Sequence, residues 1–299
     1  MAGNAWLRVR LPRLWFVRRA IRRFMPGEDA EAALRAAASL DSAGIGSVFT
    51  RLGENLTRLD EADEVAEHYL QLSAEIARRD LAGEISVKLT QLGLDLDVER
   101  AYSHLVRLTE RAGASGQTVW IDMEGSAYTE RTVALYERLR SAHPNAGVCL
   151  QAYLRRTAAD VQRLLPLGPA IRLVKGAYAE PAAIAYQTRR EVDEHYHALA
   201  VQLLDARQTG RPLRIALGTH DIGLIERAAA YASAHGSTNG AFEVHMLYGI
   251  RTDEQHRLAR AGYAVRTLIA YGTHWYPWYM RRLAERPANV WFVLRQLLP

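Results

Sequence analysis

Lysine is almost missing from this chain. Of its 38 basic residues 36 are arginine, which leaves Lys88 and Lys175 alone. Both stand at the ends of apolar, strand-like runs, "ISVKL" and "IRLVKGAY". Cysteine is limited to Cys149, which excludes an internal disulfide and fits a core position and a reducing, cytoplasmic setting. No window holds the roughly 18 uncharged apolar residues of a membrane span. The opening "MAGNAWLRVRLPRLWF" lacks the continuous apolar core of a secretory signal. The sequence has no G-x-G-x-x-G and no G-x-x-x-x-G-K-[ST], so the two commonest glycine-rich phosphate cradles are excluded. It has no internal repeat, no low-complexity stretch and no obvious linker.

What is present describes an ordinary folded chain. It has 299 residues, 49% hydrophobic and 24% charged, enough for one large α/β barrel or two smaller domains. The net charge of +5 is uneven: residues 1–27 hold seven arginines and no acid. In "PRLWFVRRAIRRFM" apolar residues alternate with arginine pairs at helical spacing. That pattern fits an arm packed on the main domain with a solvated basic face. The same arm could also lie on an anionic membrane surface.

Beyond the arm, short β-branched runs alternate with longer stretches of helical period. Eight strands are expected, at 47–52, 84–89, 118–123, 147–153, 170–176, 213–219, 242–247 and 263–270. Strands that read as near-continuous apolar runs, separated by helices, imply a parallel sheet covered on both faces. Eight such units fit a closed, TIM-like (βα)8 barrel, with a doubly wound open sheet as the rival. The chain divides into an N-terminal helical arm, 1–44, and the barrel, 45–299.

Catalytic groups of such a barrel gather at the C-terminal ends of its strands. Here those ends carry Lys88, Asp122, Gln151 with Tyr153, Arg172 with Lys175, "THD" and His245. Any one of them could cap a loop or neutralise a neighbour. Six of eight strands ending in polar residues argue for a site. Near the C-terminus, "WYPWYMRRLAERPAN" opens a helix at Pro277. Glu285 lies four residues after Arg281 and three after Arg282, so it can pair with one and leave the other guanidinium for a carboxylate. The aromatics beside them would wall in an apolar body. The combination suits a small carboxylate ligand.

These residues make the chain resemble the monofunctional bacterial proline dehydrogenases, flavoenzymes that oxidise L-proline to Δ1-pyrroline-5-carboxylate. The matching segments are "SVKLTQLGLDLD", "IDMEGS", "QAYLRRT", "IRLVKGAYAEP", "GTHD", "FEVHMLYGIR" and "WYPWYMRRLAERPAN", in the family's order and spacing. The resemblance implies a (βα)8 barrel with a helical N-terminal arm and a final helix across the barrel mouth. It implies FAD bound without a dinucleotide fingerprint. By resemblance, Lys88, Arg281 and Arg282 hold the substrate carboxylate, and Asp122 and Arg172 are catalytic, with Arg172 near the reactive flavin nitrogen. Met123, Gln151, Lys175, Gly176, Ala177, Thr219, His220 and His245 match cofactor-contacting positions. The implied partners are a small amino acid and a membrane quinone as electron acceptor, with transient contact of the basic arm at the inner membrane surface and no nucleic acid.

The match has departures. The family's Tyr-Val-Pro-Tyr-Gly at strand eight is "LIAYG", so Leu268 stands for a ring-contacting tyrosine and Ala270 for the proline. Trp278 replaces a tyrosine, and His245 a glutamine. Leu268 and Trp278 are compensating volume changes in one pocket, and they keep open the same flavin chemistry on a proline analogue or another cyclic amino acid. From the residues alone, three rivals remain. One is a Schiff-base lyase using Lys88 or Lys175. Another is a metal hydrolase using Asp122, His220 and His245, although no strand carries an H-x-H pair. The third is a nonenzymatic barrel held to membrane by its arm.

Overall fold

The computed structural model describes residues 23–53 and 56–275. The basic stretch at 13–22, and Arg281, Arg282, Trp278, Glu285 and the expected final helix across the mouth, lie outside the described residues.

All eight expected strands form, each within two residues of its expected bounds. They are β1 Gly46–Arg51, β2 Gly83–Lys88, β3 Val119–Asp122, β4 Ala146–Gln151, β5 Ala170–Val174, β6 Arg214–Gly218, β7 Glu243–Leu247 and β8 Ala264–Tyr271. They pair in parallel in sequence order, and β1 closes on β8, giving a barrel. The open sheet is thereby excluded. Seven helices cross between consecutive strands: α2 Leu59–Arg78, α3 Val98–Gly113, α4 Ser126–Arg140, α5 Thr157–Leu164, α6 Arg189–Gln208, α7 Ile222–Ala234 and α8 Thr252–Arg260. An earlier helix, α1 Ala30–Asp41, precedes β1 and packs against both β1 and β8. It covers the seam where the barrel closes, through Ala33, Leu34 and Ala37. Part of the segment before residue 45 is therefore barrel wall.

The helices start where side chains can satisfy the free N–H groups of a first turn. Asp29 accepts from Ala32 N, Asp97 from Arg100 N, and Thr188 and Glu191 cap α6 reciprocally. At α4 the capping group comes from far away: Ser126 N and Oγ donate to Glu180, in the loop after β5, at 2.7 and 2.6 Å.

Strand period two divides the two faces of the sheet. Outward residues such as Ile85, Val87, Val119, Ile121, Val148, Ile171, Leu173, Ile215 and Val244 are buried against the helices in one continuous core. Inside the barrel the apolar content shrinks to a small cluster: Val48, Trp120, Ala170 and Ala216, with Leu268 packed against it. The rest of the lumen is polar, so one face of the sheet supplies stability and the other holds a line of charges.

Candidate active site

Register sets the first layer of the site. Lys88 pairs with Asp122 across β2 and β3, and Cys149 with Arg172 across β4 and β5. Residues two apart along a strand share a face, so Ser86 lies on the inner face with Lys88, and Trp120 with Asp122. Arg172 is buried, with 3% of its side chain exposed, and forms an ion pair with Asp122 Oδ1 through Nη2. The same Nη2 donates to Ser86 Oγ at 2.7 Å, and Ser86 Oγ–H donates to Asp122 Oδ1 at 3.0 Å. A serine, a carboxylate and a guanidinium from three strands thus form a closed triangle. Burial works to lower the pKa of Arg172, but the Asp122 charge outweighs it and the net shift is upward. Burial pushes the Cys149 thiol up, with Arg172 opposing. Among the described residues, buried Arg172 Nη1 has no hydrogen-bond partner.

Such an orphaned donor is rare in a folded interior and marks a place for a ligand. Gln151 Oε1 is unpaired in the same way among the described residues. Gly176, which follows Lys175, has φ +121°, and a Cβ there would come within 2.3 Å of the Tyr153 ring. Only glycine lets the chain pass so close. Unsatisfied donors and acceptors around a backbone of close approach fit a polar, aromatic-bodied cofactor at this mouth. Gln151, Arg172, Lys175, Gly176 and Thr219 are the described residues best placed to hold it.

Lys175 donates to Asp193 on α6 and, at 2.9 Å, to Asp221 Oδ2 after β6. Asp221 sits at the N-cap of α7 yet makes no side-chain cap bond; its carboxylate turns to Lys175 and Arg189 instead. A local stabilising contact has been given up for one at the mouth. His220 Nε2 accepts from Leu247 N at 2.9 Å, which ties the ends of β6 and β7 together. Thr219 Oγ1 accepts from Asp221 N at 3.1 Å. Lys88, Met123, Gln151 and Thr219 are buried, Gly176 and Leu268 partly so, and Ala177 is exposed. His245, paired with Gly218 across β6 and β7, is buried and faces the lumen. Its Nε2 lies 3.3 Å from Glu243 Oε2, and its ring meets Trp120 edge-on at 5.5 Å. Burial lowers its pKa, with Glu243 opposing.

The sequence residues Lys88, Asp122, Arg172, Lys175, Thr219 and His220 come together at one end of the barrel. The family model described as proline dehydrogenase matches residues 33–295. The chain belongs to the proline dehydrogenase family. Proline dehydrogenase 1 of Bacillus subtilis (strain 168) is 38% identical over 278 residues, covering 93% of this chain and 90% of that one. The proline dehydrogenase of Deinococcus radiodurans is 34% identical over 281 residues, 92% of this chain and 89% of that one. Among solved structures, proline utilization A from Bdellovibrio bacteriovorus superposes with a TM-score of 0.82 at 22% identity, over 90% of this chain. This chain spans 33% of that longer protein, and the likeness concerns the barrel fold. Membership makes the protein an oxidoreductase of a flavin-using family.

Sequence reasoning missed Ser86, Asp193 and the lumen residues Glu84, Trp120, Arg214 and Glu243. The available signal was period two: Ser86 and Trp120 each lie two residues before a residue already singled out. Asp193 had no signal, because it sits near the start of α6 in a charged stretch.

Proposed function

We propose that the protein oxidises L-proline to Δ1-pyrroline-5-carboxylate, with FAD as its flavin. The flavin supplies the hydride acceptor, and the chain supplies orientation and charge. The observation that carries this reading is Arg172: buried, held at Nη2 by Asp122 and Ser86, with Nη1 lacking a hydrogen-bond partner among the described residues. In this reading Nη1 faces the flavin, near its reactive nitrogen, where a fixed positive charge favours the reduced form. Met123, Gln151, Lys175, Gly176, Ala177, Thr219, His220 and His245 border the cofactor. Lys88, with Arg281 and Arg282, grips the substrate carboxylate. The substrate nitrogen gives up its proton before the hydride leaves, because its lone pair forms the C=N bond, so activity rises with pH over the working range.

Residues 45–299 carry both ligands, and the seven arginines within residues 1–27 favour contact with an anionic membrane surface, where a quinone takes the electrons. The Schiff-base alternative loses ground because Lys175 is engaged by two carboxylates, and a Schiff base needs a free lone pair. One observation favours a second substrate. Leu268 packs on the apolar lumen cluster of Val48, Trp120, Ala170 and Ala216, so the side of the pocket that it and Trp278 would form offers no hydroxyl at Leu268. An apolar ring analogue of proline fits that surface as well as proline does.

The test is the absorbance spectrum of the purified protein, followed by anaerobic L-proline. Bleaching of a flavin band is expected. A flavin band that stays oxidised with L-proline but bleaches with an analogue selects the second substrate, and a protein that takes up no FAD refutes both. Lys88→Arg should raise KM sharply, since a third planar fork does not fit under a small carboxylate. An unchanged KM would remove Lys88 from the grip.

A further inference from the structure

Below the Asp122–Ser86–Arg172 triangle lies a second polar layer that the reaction just proposed does not use. Trp120, two residues before Asp122 on β3, is fully buried. Two guanidiniums lie over its ring, those of Arg172 and Arg214, each 5.1 Å from the centroid. Its Nε1–H donates to Glu84 Oε2 at 2.7 Å. Glu84 Oε1 in turn receives Arg214 Nη1 at 2.7 Å. Arg214 also grips Glu243 through Nε and Nη2, at 2.6 and 2.8 Å. On β4, Gly147 leaves room for the indole, since a Cβ there would fall 2.6 Å from the ring. The indole is thus fixed by a charged hydrogen bond, by a bare stretch of backbone and by the edge-on His245.

Arg172 is held less completely. Only Nη2 is bonded to Asp122 and Ser86, and among the described residues Nη1 has no hydrogen-bond partner. Bonds at one nitrogen leave the guanidinium plane free to turn about that end. A ring surface under the plane removes this freedom, because a guanidinium is attracted to the face of an indole and most strongly where water is excluded. We propose that Trp120, anchored by Glu84, is the positioning residue that fixes the plane of Arg172 and so aims Nη1 at the bound flavin. This rests on the reading above that Arg172 borders the reactive part of the flavin. It assigns a role to lumen residues that touch neither substrate nor cofactor. Without the indole, Arg172 keeps its charge but loses its direction. A charge that must reorient during the reaction stabilises less than one already in place.

The experiment uses FAD-loaded protein and compares Trp120→Leu, Trp120→Phe and Arg172→Met with the native chain. It reads kcat and KM for L-proline, and the flavin midpoint potential. Trp120→Leu is expected to lower kcat about tenfold with KM little changed, the signature of misorientation, not of lost binding. Its potential should move in the negative direction, as that of Arg172→Met does. Trp120→Phe keeps a ring under the guanidinium and should recover most of kcat and of the potential. Native kcat and potential in Trp120→Leu overturn the proposal, even if its melting temperature falls. If that variant does not retain FAD, Glu84→Gln serves instead. It leaves the ring and weakens its anchor, and a native potential there overturns the proposal as well. Arg172→Met separates the two readings. If Arg172→Met is impaired while Trp120→Leu is native, only the role of Trp120 falls. If Arg172→Met is native too, the placement of Arg172 at the flavin falls with it.

Discussion

On the outside of the barrel, Arg138 of α4 grips Glu99 of α3, with 49% and 70% of the two side chains exposed. On the inside, Arg172 grips Asp122, with 3% and 18% exposed. The outer arrangement recurs around the wall: Arg79 with Glu31, Arg100 with Asp63, Arg163 with Glu137 and Arg227 with Glu194 each join neighbouring helices. An exposed pair of this kind contributes about 0.2–1 kcal/mol, because water already solvates both partners. A buried pair is different. Its formation is costly in desolvation, and removing one partner leaves a stranded charge. The same residue type therefore staples helices on one side of the sheet and is aimed on the other. In both places the planar fork is used, bidentate on carboxylates outside and stacked over Trp120 inside. The two lysines occupy neither setting. Both stand at strand ends on the mouth, where Lys175 needs a compact charge that two carboxylates can share.

The largest break in this comparison should come from Asp122→Ala. It strands Arg172, so stability should fall by about 3 kcal/mol in urea unfolding, and activity by at least about 100-fold. A loss no greater than at an outer pair would erase the distinction. Glu243→Gln comes next. Burial works to raise the Glu243 pKa, but hydrogen bonds from His245 and Arg214 outweigh it, and the carboxyl is held well below its usual range. Its contribution is thus present at neutral pH and lost only in strong acid. The substitution removes one of the two carboxylates that Arg214 and Arg266 share, leaving Glu84, and should cost about 2 kcal/mol at pH 7.

A smaller effect should appear at the border of the two regions. His68 of α2 lies 2.7 Å from the Tyr271 hydroxyl at the end of β8. Burial, with Arg51, lowers its pKa from 6.5 to about 4. Between these values the unfolded chain binds the extra proton and the folded one does not. Stability should therefore fall as pH drops from about 6.5 toward 4, by at most about 1.4 kcal/mol per pH unit. His68→Asn should flatten that slope in pH-dependent melting; an unchanged slope assigns it to other groups. The smallest change is expected for Glu99→Gln, too small to separate from the native chain in urea unfolding and shrinking further in 1 M salt.

Much of this was legible in the chain. The eight strands were, because a strand buried on both faces reads as a short apolar run, and the helices between them keep their own period. The mouth residues were, because a barrel strand that ends in Lys88 or Asp122 carries that charge to a known end of the fold. The triangle was not. It joins Arg172 to residues 50 and 86 positions away, through register that no local pattern specifies. The lumen network escaped for the same reason. Glu84, Arg214 and Glu243 look like single charges among apolar residues until the barrel closes. Asp221 holds the N-cap position of α7, yet its carboxylate is turned to Lys175, a pairing no local pattern announces.

The sequence by itself determined which segments become strands and helices, which end of each strand is polar and which family the motifs resemble. These follow from periodicity and from residue types set a few positions apart. Only the tertiary structure decided which charge meets which. It set Ser86 between Asp122 and Arg172, placed Trp120 against two guanidiniums and, among the described residues, left Arg172 Nη1 without a hydrogen-bond partner. Those choices depend on strand register and on closure of β1 onto β8. Both are settled by the packing of the whole outer face, and no short stretch of the chain contains them.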